Sequence, residues 1–383
     1  MLRVLTLSTL YPDDGRPSFG IFVERQTLAL AAREGVEVEV VAPIGLPLWP
    51  LTRHPHYRPR AQLPALERRH KLAVHRPRFR IWPGLSGAGA ARSLAAAVLP
   101  LARALRPDVI DAEFFWPDGA AAMHLAEALG VPFSVKARGS DVHFWAGRPA
   151  ARAQMIEAAG RAGGLLAVSA GLKADMAAMG MPGEKIRVHY TGVDLERFRP
   201  TERVAAKRRL GVEGPLIVTP GNLVALKGQR LAVEALAELP EANLLIAGEG
   251  PERPALEALI AARGLAPRAR LLGSVSPGAM PELLAAADLM VLPSEREGLA
   301  NVWIESLASG TPILVADVGG AREVLDRPEA GRLVAREARA IAAAAREMLA
   351  SPPDPVAVRR SAERFSWQRN GAELHAHLRA LVG

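Results

Sequence analysis

The sequence contains no cysteine. Disulfides, thiolate zinc sites, iron–sulfur ligation and cysteine nucleophiles are therefore excluded. No stretch approaches roughly 18 uninterrupted apolar residues, so no membrane-spanning helix is expected. The most apolar run, Leu94–Ala102, is short and flanked by Arg92 and Arg103. A brief apolar opening reaches Tyr11–Pro12–Asp13 without a small-residue cleavage site, so no secretory signal is expected and the protein reads as cytoplasmic. No G-x-G-x-x-G follows a strand-like run, which argues against a dinucleotide-dependent oxidoreductase. No Asp-x-Asp pair stands in the second half, so no divalent metal is expected. Lysine is scarce, at six of the 48 basic residues.

What is present is globular. Hydrophobic residues make up 49% and charged residues 23% of 383, as in soluble proteins. A single core rarely grows past roughly 250–300 residues, so two domains are expected. The net charge of +8 is concentrated: residues 53–92 carry nine Arg and one Lys against a single acid, Glu67. Apolar residues such as Leu66, Val74, Phe79 and Trp82 are interleaved with that charge. Two readings stay open for this arm. One is contact with an anionic membrane surface or a phosphate-bearing acceptor; the other is a solvated loop and strand pair in an Arg-biased chain. No recognition motif accompanies the charge, so nucleic acid is not an expected partner.

Both halves alternate strand, loop and helix. In the first half, strands are expected over 3–9, 36–42, 109–112, 133–137 and 165–168, with helices over 21–33, 119–129 and 155–162. In the second, strands are expected over 216–219, 243–247, 270–272, 289–292 and 313–316. Helices are expected over 229–239, 253–263, 280–286 and 301–309. This alternation predicts the α/β class, with two doubly wound Rossmann-like domains on parallel sheets covered on both faces. The expected division is 1–190, a polar linker at 191–203, 204–365, and a final amphipathic helix in 366–383 that returns to the first domain. Ligands of open α/β sheets bind at the carboxyl ends of the strands, so the two domains are expected to face a cleft.

The informative residues lie between Gly221 and Glu323. Gly221–Asn222–Leu223 follows a strand and leads to Lys227–Gly228, a loop able to bring backbone N–H groups and one mobile cation to a phosphate. Gly248 and Gly250 follow the next strand and permit a tight turn with close ligand approach. Then come Glu297–Gly298–Leu299–Ala300–Asn301 at the start of a helix and Glu305, read as about two turns inside it. A helix N-terminus favours an anion, and carboxylates accept from hydroxyls, so this set suits a diphosphate flanked by sugar hydroxyls.

At these residues the chain resembles family 4 glycosyltransferases, retaining enzymes of the GT-B fold. Glu297 through Glu305 matches their Glu-x7-Glu signature, and Gly221 to Gly228 resembles their phosphate loop. Thr191–Gly192–Val193–Asp194 with Phe198 and Pro200 looks like their interdomain segment. Gly20–Ile21–Phe22–Val23 and Arg138–Gly139–Ser140–Asp141 resemble loops of their first domain. Among its members the chain resembles bacterial polysaccharide-assembly transferases, such as teichuronic acid and exopolysaccharide transferases.

The resemblance implies a nucleotide-diphosphate sugar as donor substrate, no further cofactor, and a glycan or lipid-linked acceptor. It implies that Lys227 neutralises the diphosphate beside Gly221 and Asn222, that Glu305 accepts from ribose, and that Glu297 holds the transferred sugar. Backbone N–H groups of Gly298, Leu299, Ala300 and Asn301 would cap the diphosphate; Gly248, Gly250 and Leu272 would line the nucleoside pocket; Gly20 would approach the phosphates on closure. Two positions depart from the family pattern. Asn222 stands where Arg is usual, and Arg138 where His is frequent, which turns attention to Asp141 as an acceptor-side carboxylate or a helix N-cap. A non-catalytic scaffold that binds polyanions or membranes through 53–92 is the alternative function.

Overall fold

A computed structural model describes residues 1–82 and 89–383, so Pro83–Ala88 of the basic arm lie outside the described residues. The chain forms two compact units. One comprises Met1–Gly192 with Trp367–Gly383, the other Val193–Ser366.

The first unit contains β1 (Leu2–Leu7), β2 (Val36–Val41), β3 (Ile44–Leu46), β4 (Leu66–Arg69), β5 (Leu72–His75), β6 (Arg78–Arg80), β7 (Val109–Ala112), β8 (Phe133–Ala137), β9 (Gly164–Ala167) and β10 (Ile186–Val188). Eight form one sheet in the order β10-β9-β8-β7-β1-β2-β5-β4. All neighbours are parallel except β4 and β5, while β3 and β6 form a separate parallel pair. β7, β8 and β9 are buried along their whole length, as expected where both faces of a parallel sheet are covered. The helix Ile21–Ala31 and the C-terminal helix Trp367–Val382 pack against each other. Gly371 makes that approach close: a Cβ there would lie 2.5 Å from the carbonyl oxygen of Ala29.

The helix expected over 155–162 begins earlier, at Pro149, and runs to Arg161. Proline in the first turn lacks only an N–H that the helix does not use. The strand pair in one reading of the basic arm is present. β4 and β5 form a hairpin whose two turn residues, His70 and Lys71, both have positive φ (48° and 74°). Several of its cations are held by partners within the unit. Buried Arg76 pairs with Glu67 and donates to the carbonyl of Pro12; Arg69 Nε donates to Glu24 at 3.0 Å; Arg78 donates to the carbonyl of Leu63.

The second unit is built on β11 (Leu216–Pro220), β12 (Asn243–Ala247), β13 (Ala269–Gly273), β14 (Leu289–Leu292), β15 (Ile313–Val315) and β16 (Gly331–Leu333). These six lie wholly parallel in the order β13-β12-β11-β14-β15-β16. Ile217, Leu244, Ile246, Leu289 and Val291 pack against Val233, Leu236, Leu256, Ile260 and Ile341 of the covering helices. That burial drives the strands to stack with their carboxyl ends aligned. Among the described residues no helix is long and apolar enough to cross a membrane.

Candidate active site

In the second unit the loops at the carboxyl ends of β11, β12, β14 and β15 are locked together backbone to backbone. Gly221 N donates to the carbonyl of Ala247 at 2.9 Å, and Leu223 N to that of Glu249 at 2.9 Å. Gly248 has φ +152° and sits on the carbonyl of Gly221, where a Cβ would come within 1.9 Å. Gly250 meets the carbonyl of Leu223, where a Cβ would fall at 2.3 Å. Only glycine tolerates such contacts. On the other side, Glu295 N donates to the carbonyl of Leu226 at 2.7 Å, and Gly228 rests on the carbonyl of Pro293. Gly319 rests on the carbonyls of Glu297 and Gly298, and Gly320 N donates to the latter at 2.8 Å.

This lattice brings Lys227 and Glu297 together. Lys227 Nζ donates to Glu297 Oε1 in an ion pair whose side chains are 21% and 10% exposed. Gly298, Leu299 and Ala300 are buried and lead into the helix Asn301–Ala308, whose N-terminus has no side-chain cap. Its free N–H groups and macrodipole favour an anion. Glu305 is the fifth residue of that helix, little more than one turn in rather than two. Leu272, 37% exposed at the end of β13, supplies an apolar surface beside Gly273. Asn222 presents its carbonyl to buried Gln229, whose Nε2 lies 3.1 Å away.

Two residues here escaped the sequence reading. Gln229 pins the Asn222 turn, and Arg336 Nε donates to the carbonyl of Pro293 at 2.9 Å, bracing the loop that carries Glu297. A Gln opening a helix and an Arg 43 positions away from its partner carry no motif.

In the first unit, Gly20 caps the helix Ile21–Ala31 with φ +69°, tight against the carbonyl of Leu10. Arg138 leaves the end of β8. Its guanidinium pairs with buried Glu113 and lies 4.7 Å from the Phe22 ring centroid. Asp141 follows, but it is no open carboxylate. It is fully buried; Oδ1 accepts from the N–H groups of Arg138 (3.0 Å) and Gly139 (2.9 Å), and Oδ2 from that of Phe115 (3.0 Å). Burial raises its pKa against the opposing pull of these bonds. Asp141 is therefore held within the loop as a buried acceptor of three backbone N–H groups.

Beneath this loop lies a buried polar layer. Gln26 Nε2 donates to Glu113, and Lys136 Nζ donates to Gln26 Oε1 at 2.6 Å. Asp118 accepts from Thr9 N and Oγ1, and burial pushes it up to about 7. Asp111, buried beside Glu113, is raised well above the usual range for the same reason.

Comparison with known proteins identifies the family and fold. Residues 21–197 match Glycosyltransferase Family 4 and residues 201–365 match Glycosyl transferases group 1. The chain is 31% identical over 360 residues to the teichuronic acid biosynthesis glycosyltransferase TuaC of Bacillus subtilis, covering 90% of this chain and 88% of that one. Two solved structures share the fold at 20% identity. Sucrose-phosphate synthase from Thermosynechococcus elongatus has a TM-score of 0.82, covering 100% of this chain and 99% of that one. Anabaena HepE in complex with UDP has a TM-score of 0.78 and full coverage of both. The chain belongs to glycosyltransferase family 4, retaining enzymes of the GT-B fold, and is a glycosyltransferase.

Proposed function

We propose that the protein moves a sugar from a nucleotide-diphosphate sugar to an acceptor hydroxyl, with retention, during assembly of a cell-surface polysaccharide. The observation that carries this reading is the meeting of Lys227, Glu297 and an uncapped helix N-terminus on one lattice of interlocked loops. As the glycosidic bond breaks, negative charge grows on the departing diphosphate. Lys227 and the N–H groups of 298–301 stabilise it, and fixed donors of this kind need no reorganisation during reaction. Glu297 holds hydroxyls of the sugar, Glu305 those of ribose, and Leu272 flanks the base. TuaC is named for teichuronic acid biosynthesis, and HepE was solved with UDP; both support a nucleotide-sugar donor and a glycan or lipid-linked acceptor.

Calorimetric titration with UDP, GDP and ADP and their sugars, on wild type and Glu305→Ala, tests the proposal. One nucleotide should bind, and the variant should lose it. Folded wild type that binds none of them would overturn the donor assignment and leave the scaffold reading.

A cytoplasmic place at the inner face of a membrane fits the first unit. Exposed Leu48, Trp49 and Leu51 follow β3, and exposed Trp82 follows β6, which pairs with β3 in parallel. Arg53 lies 5.7 Å from the Trp49 ring centroid, and Arg58 and Arg80 are exposed. Amphipathic rings beside cations suit an anionic bilayer surface. Because Arg69 and Arg76 are held in ion pairs, the contact is narrower than the whole arm. Wild type should sediment with phosphatidylglycerol vesicles and not with phosphatidylcholine ones, and Trp49→Ala with Trp82→Ala should abolish it. Sedimentation unchanged in the double variant would refute this surface.

A further inference from the structure

The loop 221–228 carries one cation, Lys227, because Asn222 is neutral. In this structure that cation is paired with Glu297, the carboxylate assigned to the sugar. Neither backbone can withdraw. Glu297 is clamped by Gly319 against its carbonyl, and Lys227 lies between Val224, whose carbonyl accepts its N–H at 2.9 Å, and Gly228 on Pro293. Only the two side chains can exchange partners.

We infer that Glu297 is a resident counter-ion that makes the site discriminate the intact donor from the nucleotide product. This rests on the donor reading above. A diphosphate carries more charge than one carboxylate and captures Lys227. Glu297, 10% exposed, then loses its cation. A donor compensates by offering sugar hydroxyls to the freed carboxylate. A nucleoside diphosphate without the sugar leaves it unpaired, and a poorly solvated charge without a partner is costly. After transfer, the carboxylate reclaims Lys227 as the nucleotide leaves. The same group that selects the donor thus promotes product release.

The test measures affinities of the nucleoside diphosphate that wild type binds, and of its nucleotide sugar, in a two-by-two set: wild type, Glu297→Gln, Lys227→Met and the double variant. Circular dichroism melts establish that each is folded. Glu297→Gln should bind the bare nucleoside diphosphate about three- to fivefold more tightly than wild type, the scale of one partly exposed ion pair. Its preference for the nucleotide sugar over the bare nucleotide should shrink. In the Lys227→Met background the same change should have little effect. Equal tightening in both backgrounds would show that Glu297 only repels the phosphates, and weaker or unchanged binding by Glu297→Gln would show that it holds no competing role. Either result overturns the inference while leaving the donor assignment intact. Absence of nucleotide binding by folded wild type overturns both.

Discussion

Lys136 Nζ lies 3.0 Å from Nδ1 of His189, and both side chains are buried. His189 Nε2 lies 2.9 Å from the carbonyl oxygen of Asn370 in the C-terminal helix. The pair thus ties β8, the end of the first unit's main segment and its returning helix into one polar chain. Burial lowers Lys136 from 10.5 to about 7, with Arg138 adding to the effect and Glu113, Asp111 and Glu373 opposing it. Burial likewise lowers His189 well below its ordinary value.

A folded pKa below the unfolded one means that the unfolded chain binds the extra proton between the two values. Stability therefore rises with pH across that window. For Lys136 the window runs from about 7 to 10.5, with the penalty full below and absent above. Lys136→Met removes this rise. Urea unfolding of wild type and variant across that range should show wild type gaining on the variant as pH increases. Parallel pH profiles would mean that Lys136 keeps an ordinary pKa.

Lys227→Ala should lower turnover at least about tenfold, which corresponds to losing about 1.4 kcal/mol of transition-state stabilisation. Removing the cation also strands Glu297, so Lys227→Arg, which restores the charge, should recover part of the loss. Initial rates with donor and acceptor in excess read this out. Near-wild-type rates for the alanine variant would remove Lys227 from the chemistry.

Gly248 and Gly264 both have positive φ, +152° and +65°, but only Gly248 is crowded, whereas nothing lies within 4 Å of a Cβ at Gly264. Gly248→Ala should open the crossing with Gly221 and abolish nucleotide binding. Gly264→Ala should cost about 1 kcal/mol of stability, the scale of one left-handed non-glycine residue, and leave binding intact. Loss of binding in both, or in neither, would show that the loop crossing does not shape the pocket.

The turn His70–Lys71 asks two side-chain-bearing residues to adopt positive φ. Asn-Gly is the preferred pair for such a hairpin turn. His70→Asn with Lys71→Gly should raise stability by about 1 kcal/mol, measured by chemical unfolding. His70 is exposed and Lys71 is too, so few contacts are lost. A destabilised variant would mean that the turn is held by something other than backbone preference.

Most strands announced themselves because parallel sheets bury both faces and leave apolar runs such as Leu244–Ala247. β16 did not: Gly331–Arg332–Leu333 is too short and too mixed to show a period. β4 and β5 stood only within one of the two readings of the arm, because charge masks their alternation; Arg76 pairs with Glu67, and Arg69 with Glu24. The candidate site in the second unit stood out in the sequence because glycines and acids mark its loops. The polar layer under Arg138 did not. Lys136 is the one charged residue in the fully buried strand Phe133–Ala137, and that incongruity was its signal. For Asp141 the sequence left both an N-cap and an acceptor-side carboxylate open, because the two look alike in one dimension. Access and the direction of nearby N–H groups separate them.

The chain leaves the first unit after Gly192 and returns to it at Trp367. The first unit is therefore assembled from two segments distant in sequence. Val193–Ser366 is one uninterrupted segment, so its core is closed by residues of that segment alone. The first unit begins earlier but finishes later, because His189, Ser134 and Gly164 await Asn370 and His377 from the last helix. His377 Nε2 closes onto Ser134 Oγ at 2.8 Å, and its ring fills the space that glycine leaves at 164. A chain cut before residue 367 would keep every residue of the second unit but leave the first without the partners of His189 and Ser134, so the first unit's integrity depends on a segment nearly two hundred residues away in sequence.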